Sequence, residues 1–256
     1  MIHPSAIVDP SADIADGATI GPFTVIGPDV TIGSGTIVGS HVVIKGPTQI
    51  GTDNRIFQFS SIGEDPQDKK YRGEITRLEI GDRNVIREYS TIHRGTVQDQ
   101  SITRIGNDNL LMAYTHVAHD CLLGNQIIMA NGASLAGHVS VDDFAILGGF
   151  SLVHQFCKIG CYSFSGMGSI ISKDVPPYVM IGGSPTKPRG INALGLERRG
   201  FDAEAVLQIK RAYKLIYKSR LKLEEAIESL AILAQDAPAV LPMADFLQRS
   251  GRSIIR

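Results

Sequence analysis

Residues 18–39 read ATIGPFTVIGPDVTIGSGTIVG, and in them Ile20, Ile26, Ile32 and Val38 recur every six positions, each followed by glycine. The series extends outward without a slip, to Ile14, Val8 and Ile2 on one side and to Ile44, Ile50, Ile56 and Ile62 on the other. It resumes at Ile80, Ile86 and Ile92. A third run, from Ile105 through Leu111, Val117, Leu123, Met129, Leu135, Val141, Leu147, Val153 and Ile159 to Ile171, has Ser165 as its one polar member. A helix repeats every 3.6 residues and a flat strand every two, so neither explains this period. Hexads of the form aliphatic-Gly-x-x-small-x mark a parallel β-helix, with three hexads closing one triangular coil. The aliphatic residue points into the prism, and Gly, Asn or Asp is expected at the corners, where backbone angles are unusual.

The expected architecture is a left-handed parallel β-helix over residues 1–186 followed by an α-helical domain over 187–256. The left hand comes from the hexapeptide pattern, since the general crossover rule points the other way. Two interruptions, near residues 63–79 and 95–104, should be loops leaving the prism, and such insertions gather on one face and often carry function. Beyond Asp174-Val175-Pro176-Pro177 the hexads fade, and Gly182-Gly183-Ser184-Pro185 forms a hinge-like passage. Asp202 is placed to N-cap a helix whose apolar residues Val206, Ile209, Ala212, Tyr213 and Ile216 fall three and four apart. A second helix is expected from Leu223 to Ala234 and a short third after Pro242, together capping the open end of the solenoid.

The net charge of −1 hides a division: residues 1–186 carry 12 Lys and Arg against 18 Asp and Glu, whereas 187–256 carry 13 against 8. The two parts should therefore face different partners. The N-terminus has no basic stretch followed by an apolar run, and no long apolar window occurs, so export and a membrane span are not expected and the cytoplasm is. Nothing in the charge pattern implies nucleic acid. Cys121, Cys157 and Cys161 are an odd set that fits reduced thiols. Cys121 and Cys157 share a column but lie two coils apart, about 9–10 Å and too far for a disulfide.

Counted in coils from Ile105, His119, His138 and His154 fall near one edge of the prism in three successive coils. Gln155 shares the column of His119, and His116 lies just before it. Two chemistries suit such a cluster. A histidine can act as general base towards a hydroxyl, with the adjacent carboxylate of Asp120 favouring the imidazolium that forms. Alternatively, three histidines can hold a metal. The second reading lacks a clear acid for a cycle of metal-bound water.

The stretches Thr91-Ile92-His93-Arg94-Gly95-Thr96-Val97, Asp108-Asn109-Leu110-Leu111-Met112, His116-Val117-Ala118-His119-Asp120-Cys121, Leu135-Ala136-Gly137-His138-Val139 and Val153-His154-Gln155-Phe156-Cys157 closely resemble the UDP-N-acetylglucosamine acyltransferase family. The resemblance covers essentially the whole chain, including Arg198-Arg199-Gly200-Phe201 and Ala212-Tyr213-Lys214-Leu215-Ile216-Tyr217. It implies transfer of an (R)-3-hydroxyacyl group from acyl carrier protein to the glucosamine 3-hydroxyl of UDP-N-acetylglucosamine, the first step of lipid A biosynthesis. It also implies a homotrimer, with no metal and no cofactor beyond the phosphopantetheine of the carrier.

Residue by residue, the resemblance makes His119 the general base, Asp120 its orienting partner and Gly137 the donor of a backbone N–H to the thioester oxyanion. His116, His138, His154 and Gln155 would line the sugar-nucleotide pocket, with Asp68, Lys70 and Tyr71 of the first loop near the sugar. Asn192, Arg198 and Arg199 would meet uridine and diphosphate. Met167 would close the acyl groove and favour a ten-carbon over a fourteen-carbon donor. Leu194 stands where many members have Glu, so one nucleotide contact is missing or replaced. Two rivals remain: an acyltransferase acting on a 3-amino sugar nucleotide, and a non-catalytic β-helix scaffold. A later N-acyltransferase of the same pathway would carry an extra N-terminal domain, whereas the hexads here start at Ile2.

Overall fold

The computed structural model describes residues 1–250 and 253–256. Most hexads form a strand of only two residues, such as Val25–Ile26, in which the first side chain faces outward and the second is buried. Each strand pairs in parallel with the one eighteen residues later where no loop intervenes, as in Val8 with Ile26. Stacking these pairs builds three faces. Face 1 has nine strands and starts at Ile7–Val8, face 2 has eight and starts at Asp13–Ile14, and face 3 has ten and starts at Thr19–Ile20. The result is the expected left-handed parallel β-helix, closed by helices at its C-terminal end.

The inward column is fully buried from Ile20 to Ile171, so removing one of these side chains to Ala costs about 2–5 kcal/mol. Ser165 breaks the pattern without leaving an orphan. Its hydroxyl lies 2.7 Å from that of Ser151 and accepts the Gly148 N–H at 3.1 Å.

The corners meet the expectation of Gly or Asp only in part, with glycine in the left-handed conformation at Gly17, Gly35, Gly132 and Gly168. Left-handed backbone occurs at Asp29, Asp53 and Asp108, but also at Phe23, His41, Phe59, Tyr89, Tyr114, His138, Phe150 and Phe156. Such a conformation costs roughly 1–2 kcal/mol outside glycine. Stacking offsets part of that cost, because a corner side chain meets its counterpart one coil on: the rings of Phe23, His41, Phe59, Tyr89 and Tyr114 stack in sequence at 5.1, 5.3, 5.1 and 4.9 Å.

Both interruptions leave the prism, with narrower limits than expected. The flanking strands Ser61–Glu64 and Arg77–Ile80 confine the first loop to 65–76, and Thr91–His93 and Ile102–Ile105 confine the second to 94–101. Face 3 also runs past residue 186, because the strand Lys187–Ile191 pairs antiparallel with Val179–Gly182.

Four α-helices follow among the described residues: α1 (Ala193–Arg198), α2 (Ala203–Tyr217), α3 (Leu223–Asp236) and α4 (Leu241–Arg249). The cap at Asp202 is present, its side chain accepting the Ala205 N–H at 2.8 Å. The unexpected member is α1, whose Gly195 and flanking Gly190 and Gly200 read as passage rather than helix. Ile209, Ile216, Leu230, Met243 and Phe246 join the prism core in one continuous cluster. No helix among the described residues is long and apolar enough to cross a membrane.

Candidate active site

His119 and Asp120 occupy the edge between faces 1 and 2, in the turn between strands His116–Val117 and Leu122–Leu123. Asp120 is buried and takes the left-handed corner conformation, which turns its carboxylate back against its neighbour. One of its oxygens accepts the Thr96 backbone N–H at 2.8 Å, and the other receives the Thr96 hydroxyl at 2.6 Å and His119 Nδ1 at 2.9 Å. Burial pushes the carboxyl pKa up, but the hydrogen bonds from His119 and Thr96 outweigh it and hold the group below the usual carboxylate range.

Gly137 sits one coil above His119. A Cβ there would lie 2.5 Å from Cε1 and 2.7 Å from Nε2 of the His119 ring, so the imidazole occupies the space a side chain would need. The Gly137 carbonyl accepts the Phe156 N–H at 3.1 Å, while its own N–H donates to no group among the described residues.

His138 belongs to the column of Asp120 and Phe156, one position off that of His119 and Gln155. Its ring still meets His119 edge-on at 5.0 Å and stacks on Phe156 at 4.4 Å. A cleft of about 680 Å³ opens here, lined by His119, His138 and Gln155 together with Asp68 and Lys70 of the first loop. With Asp120 and Gly137 against His119, the structure thus gathers seven of the expected residues at one place.

The others are distributed differently. His116 is the outward residue of strand His116–Val117 and does not line the cleft, its Nδ1 2.7 Å from the Thr91 hydroxyl and its ring 5.3 Å from that of His93. Burial, with His93 and His119 adding to it, pushes the His116 pKa down to about 4. Tyr71 turns away, its hydroxyl donating to the Glu74 carbonyl at 3.1 Å. His154 is exposed, with Nδ1 3.2 Å from the Gln155 carbonyl. Asn192 caps α1 at 3.2 Å from the Gly195 N–H and donates to the Tyr162 carbonyl at 3.1 Å. Arg199 lies over the Phe144 ring at 4.8 Å and bonds to Gln126, on the edge between faces 2 and 3. Arg198 is exposed in the last turn of α1, and Leu194 is exposed as well.

Met167 is the clearest departure. It is 81% exposed and sits between strands Phe164–Ser165 and Ile170–Ile171, on the edge between faces 3 and 1. Counted from Ile105 in coils of eighteen, Met167 falls eight positions along its coil and His119 fourteen, so the two stand on different edges and within one chain Met167 does not floor a pocket containing His119.

Four residues that sequence reasoning did not single out complete the surroundings. Thr96 and Asp99 return from the second loop, Asp99 meeting His138 Nδ1 at 2.8 Å. Arg94 is buried and bonds to the Gly63 carbonyl, the Asp65 carboxylate and the Tyr71 hydroxyl, anchoring the first loop. His93 Nδ1 lies 2.6 Å from the Asp65 carbonyl. Only His93 left a usable signal, since it follows inward Ile92 where the equivalent positions carry Gly63 and Ala118. Cys121 and Cys157 are buried and not joined in a disulfide, and burial pushes the Cys121 pKa up to about 12.

Comparison with known proteins bears on the same features. Residues 11–46 match the bacterial transferase hexapeptide profile (six repeats), and residues 174–255 match UDP-N-acetylglucosamine O-acyltransferase, domain 2. The acyl-[acyl-carrier-protein]–UDP-N-acetylglucosamine O-acyltransferase of Stutzerimonas stutzeri (strain A1501) is 56% identical over 256 residues, covering 100% of this chain and 99% of that protein. The protein of the same name from Alkalilimnicola ehrlichii is 58% identical over 255 residues, with 100% and 99% covered. Among solved structures, the Francisella novicida UDP-N-acetylglucosamine acyltransferase is 46% identical with a TM-score of 0.99, covering 100% of this chain and 94% of that one. With this similarity running from end to end in both sequence and backbone, the chain belongs to the UDP-N-acetylglucosamine O-acyltransferase family.

Proposed function

We propose that this chain transfers an (R)-3-hydroxyacyl group from acyl carrier protein to the glucosamine 3-hydroxyl of UDP-N-acetylglucosamine, in the cytoplasm, as the first step of lipid A biosynthesis. The observation that carries the reading is the His119–Asp120 pair lying against Gly137 in an open cleft. A carboxylate only accepts, so the proton of His119 sits on Nδ1 and the Nε2 lone pair is available as a base. Nε2 takes the proton of the sugar hydroxyl as its oxygen attacks the thioester carbonyl. The resulting oxyanion is received by the Gly137 N–H, and Asp120 stabilises the imidazolium. Collapse forms the ester and expels the phosphopantetheine thiolate, which takes the proton back from Nε2. The cycle needs no metal, and Asp120 already accepts three hydrogen bonds, which suits an orienting role better than ligation.

The working unit is proposed to be a homotrimer. The expected site residues lie on three different edges of one prism, and the outward side chains Ile7 and Val25 at one end of face 1 and Leu152 and Ile170 at the other flank a polar middle of Ser61, Thr91, His116 and Ser134. Neighbouring copies would bring Asn192, Arg198 and Arg199 of one chain, and Met167, to the histidine cleft of another. His116, His154 and Tyr71 would then complete the sugar-nucleotide pocket.

The deciding experiment incubates the purified protein with UDP-N-acetylglucosamine, or its 3-amino counterpart, and a set of 3-hydroxyacyl carrier proteins. Acylated UDP-N-acetylglucosamine is expected, in the presence of chelator as well. His119→Ala should lower turnover about 10²–10⁴-fold with the assembly intact. No acylated product from either acceptor would leave the scaffold reading standing, and faster acylation of the amino sugar would move the acceptor.

A further inference from the structure

Asp99 reaches from the second loop to the Nδ1 of His138, thirty-nine residues away in sequence, at 2.8 Å. Since the carboxylate only accepts, this contact places the His138 proton on Nδ1 and the lone pair on Nε2. The other carboxylate nearby, that of Asp120, lies 3.8 Å from the same nitrogen and already accepts from Thr96 and His119. It is too far to replace Asp99 as a hydrogen-bond partner.

The ring neighbours of His138 fix its plane but not its orientation. Phe156 stacks on it at 11° between planes, and His119 meets it at 87°. Both contacts are nearly indifferent to a half-turn about Cβ–Cγ, a torsion with two broad wells. That half-turn exchanges Nδ1 with Cδ2. The hydrogen bond to Asp99 distinguishes the two states, as the bond to Asp120 does for His119. The site therefore holds two imidazole–carboxylate pairs whose rings are 5.0 Å apart.

We propose that Asp99 is a positioning residue for sugar-nucleotide binding: it sets the tautomer and orientation of His138, so that Nε2 offers the cleft an acceptor for a hydroxyl of the bound sugar. The kinetic half of this inference rests on the acyltransferase reading, whereas the state of His138 in the free protein does not. Asp99 has a side chain 39% exposed, so its loss should have little effect on folding.

The test uses full-length protein carrying Asp99→Ala, Asp99→Asn, His138→Ala or the Asp99→Ala and His138→Ala pair. Long-range ¹H–¹⁵N spectra of the unliganded protein should show His138 protonated on Nδ1. In Asp99→Ala the Nε2-protonated form should grow. The KM for UDP-N-acetylglucosamine should rise about 3- to 10-fold with a smaller change in kcat. Asp99→Asn, whose amide oxygen still accepts, should restore most of the KM, and Asp99→Ala should add nothing once His138 is gone. Unchanged His138 nitrogen signals in Asp99→Ala, or the same rise in KM without His138, would overturn the proposal. A protein with no transfer activity at all would sink the acyltransferase reading, and the nitrogen spectra would then judge Asp99 by themselves.

Discussion

His116 illustrates how the fold changes a single side chain. Its ring packs edge-on to His93, and burial brings its pKa from the ordinary histidine value down to about 4. The unfolded chain binds that proton below about pH 6.5. Between 6.5 and 4 the unfolded state therefore holds more protons than the folded one, and stability falls as the pH drops. The contribution is complete above that window. His93, also held down chiefly by burial, acts in the same direction, while the depressed carboxyl of Asp120 acts only at lower pH. Urea unfolding across this range should show the midpoint falling towards pH 4, and His116→Gln should flatten that limb. Equal slopes in the two proteins would show that His116 is not its source. His116, His119 and His138 were all legible as a group from spacing. Their roles were not, because role depends on whether Asp120, Asp99 or Thr91 takes Nδ1, and hydrogen bonds across the chain leave no periodic mark.

Among the elements, the edge between faces 2 and 3 carries an internal asparagine ladder. Asn54 Oδ1 accepts the Asn84 N–H at 2.9 Å, Asn84 Oδ1 accepts the Asn109 N–H at 2.9 Å, and Asn109 Oδ1 accepts the Ile127 N–H at 2.7 Å. Asn84 also donates its amide to the Gly106 carbonyl at 2.9 Å. Asn84→Ala leaves a buried N–H without its acceptor and a carbonyl without its donor, so a loss of about 2–4 kcal/mol is expected in equilibrium denaturation. A loss below about 0.5 kcal/mol would mean that water replaces the amide. The corner positions were readable as special, and Gly or Asp does occupy several of them, such as Gly17, Gly35, Asp29 and Asp53, but the rings at the others were not foreseen. Local sterics favour Gly, Asn and Asp there, whereas stacking between successive coils favours rings, and only the coil-to-coil register reveals that second term. The loops were located for a similar reason: a lapse in the period is visible, and the path taken during the lapse is not.

At the scale of the whole molecule, the excess of positive charge beyond residue 187 appears on α2, where Lys210, Arg211 and Lys214 are all exposed. A strongly acidic carrier protein suits that surface. Charge reversal at these positions should raise the KM for the acylated carrier, and added salt should do the same to the unmodified protein. A KM unmoved by both would place docking elsewhere. In the proposed homotrimer acyl length would be a property of the assembly, because Met167 and His119 stand on different edges of one prism and would meet a common groove between copies. Met167→Gly should shift preference from 3-hydroxydecanoyl towards 3-hydroxytetradecanoyl carrier protein, measured as the ratio of kcat/KM. Equal rates with both donors in the unmodified protein would rule Met167 out as the stop. The sequence by itself determined the prism, its phase through two interruptions and the helices that close it, because inward burial repeats at a fixed spacing and needs no knowledge of distant contacts. Only the tertiary structure decided that Thr96, Asp99 and Arg94 fold back to the site and that Asn192 and Arg199, beyond the last hexad, lie on another edge. Loop return and edge identity depend on where aperiodic chain is held in space, by hydrogen bonds such as those at Asp120 and His138 that a spacing rule does not contain.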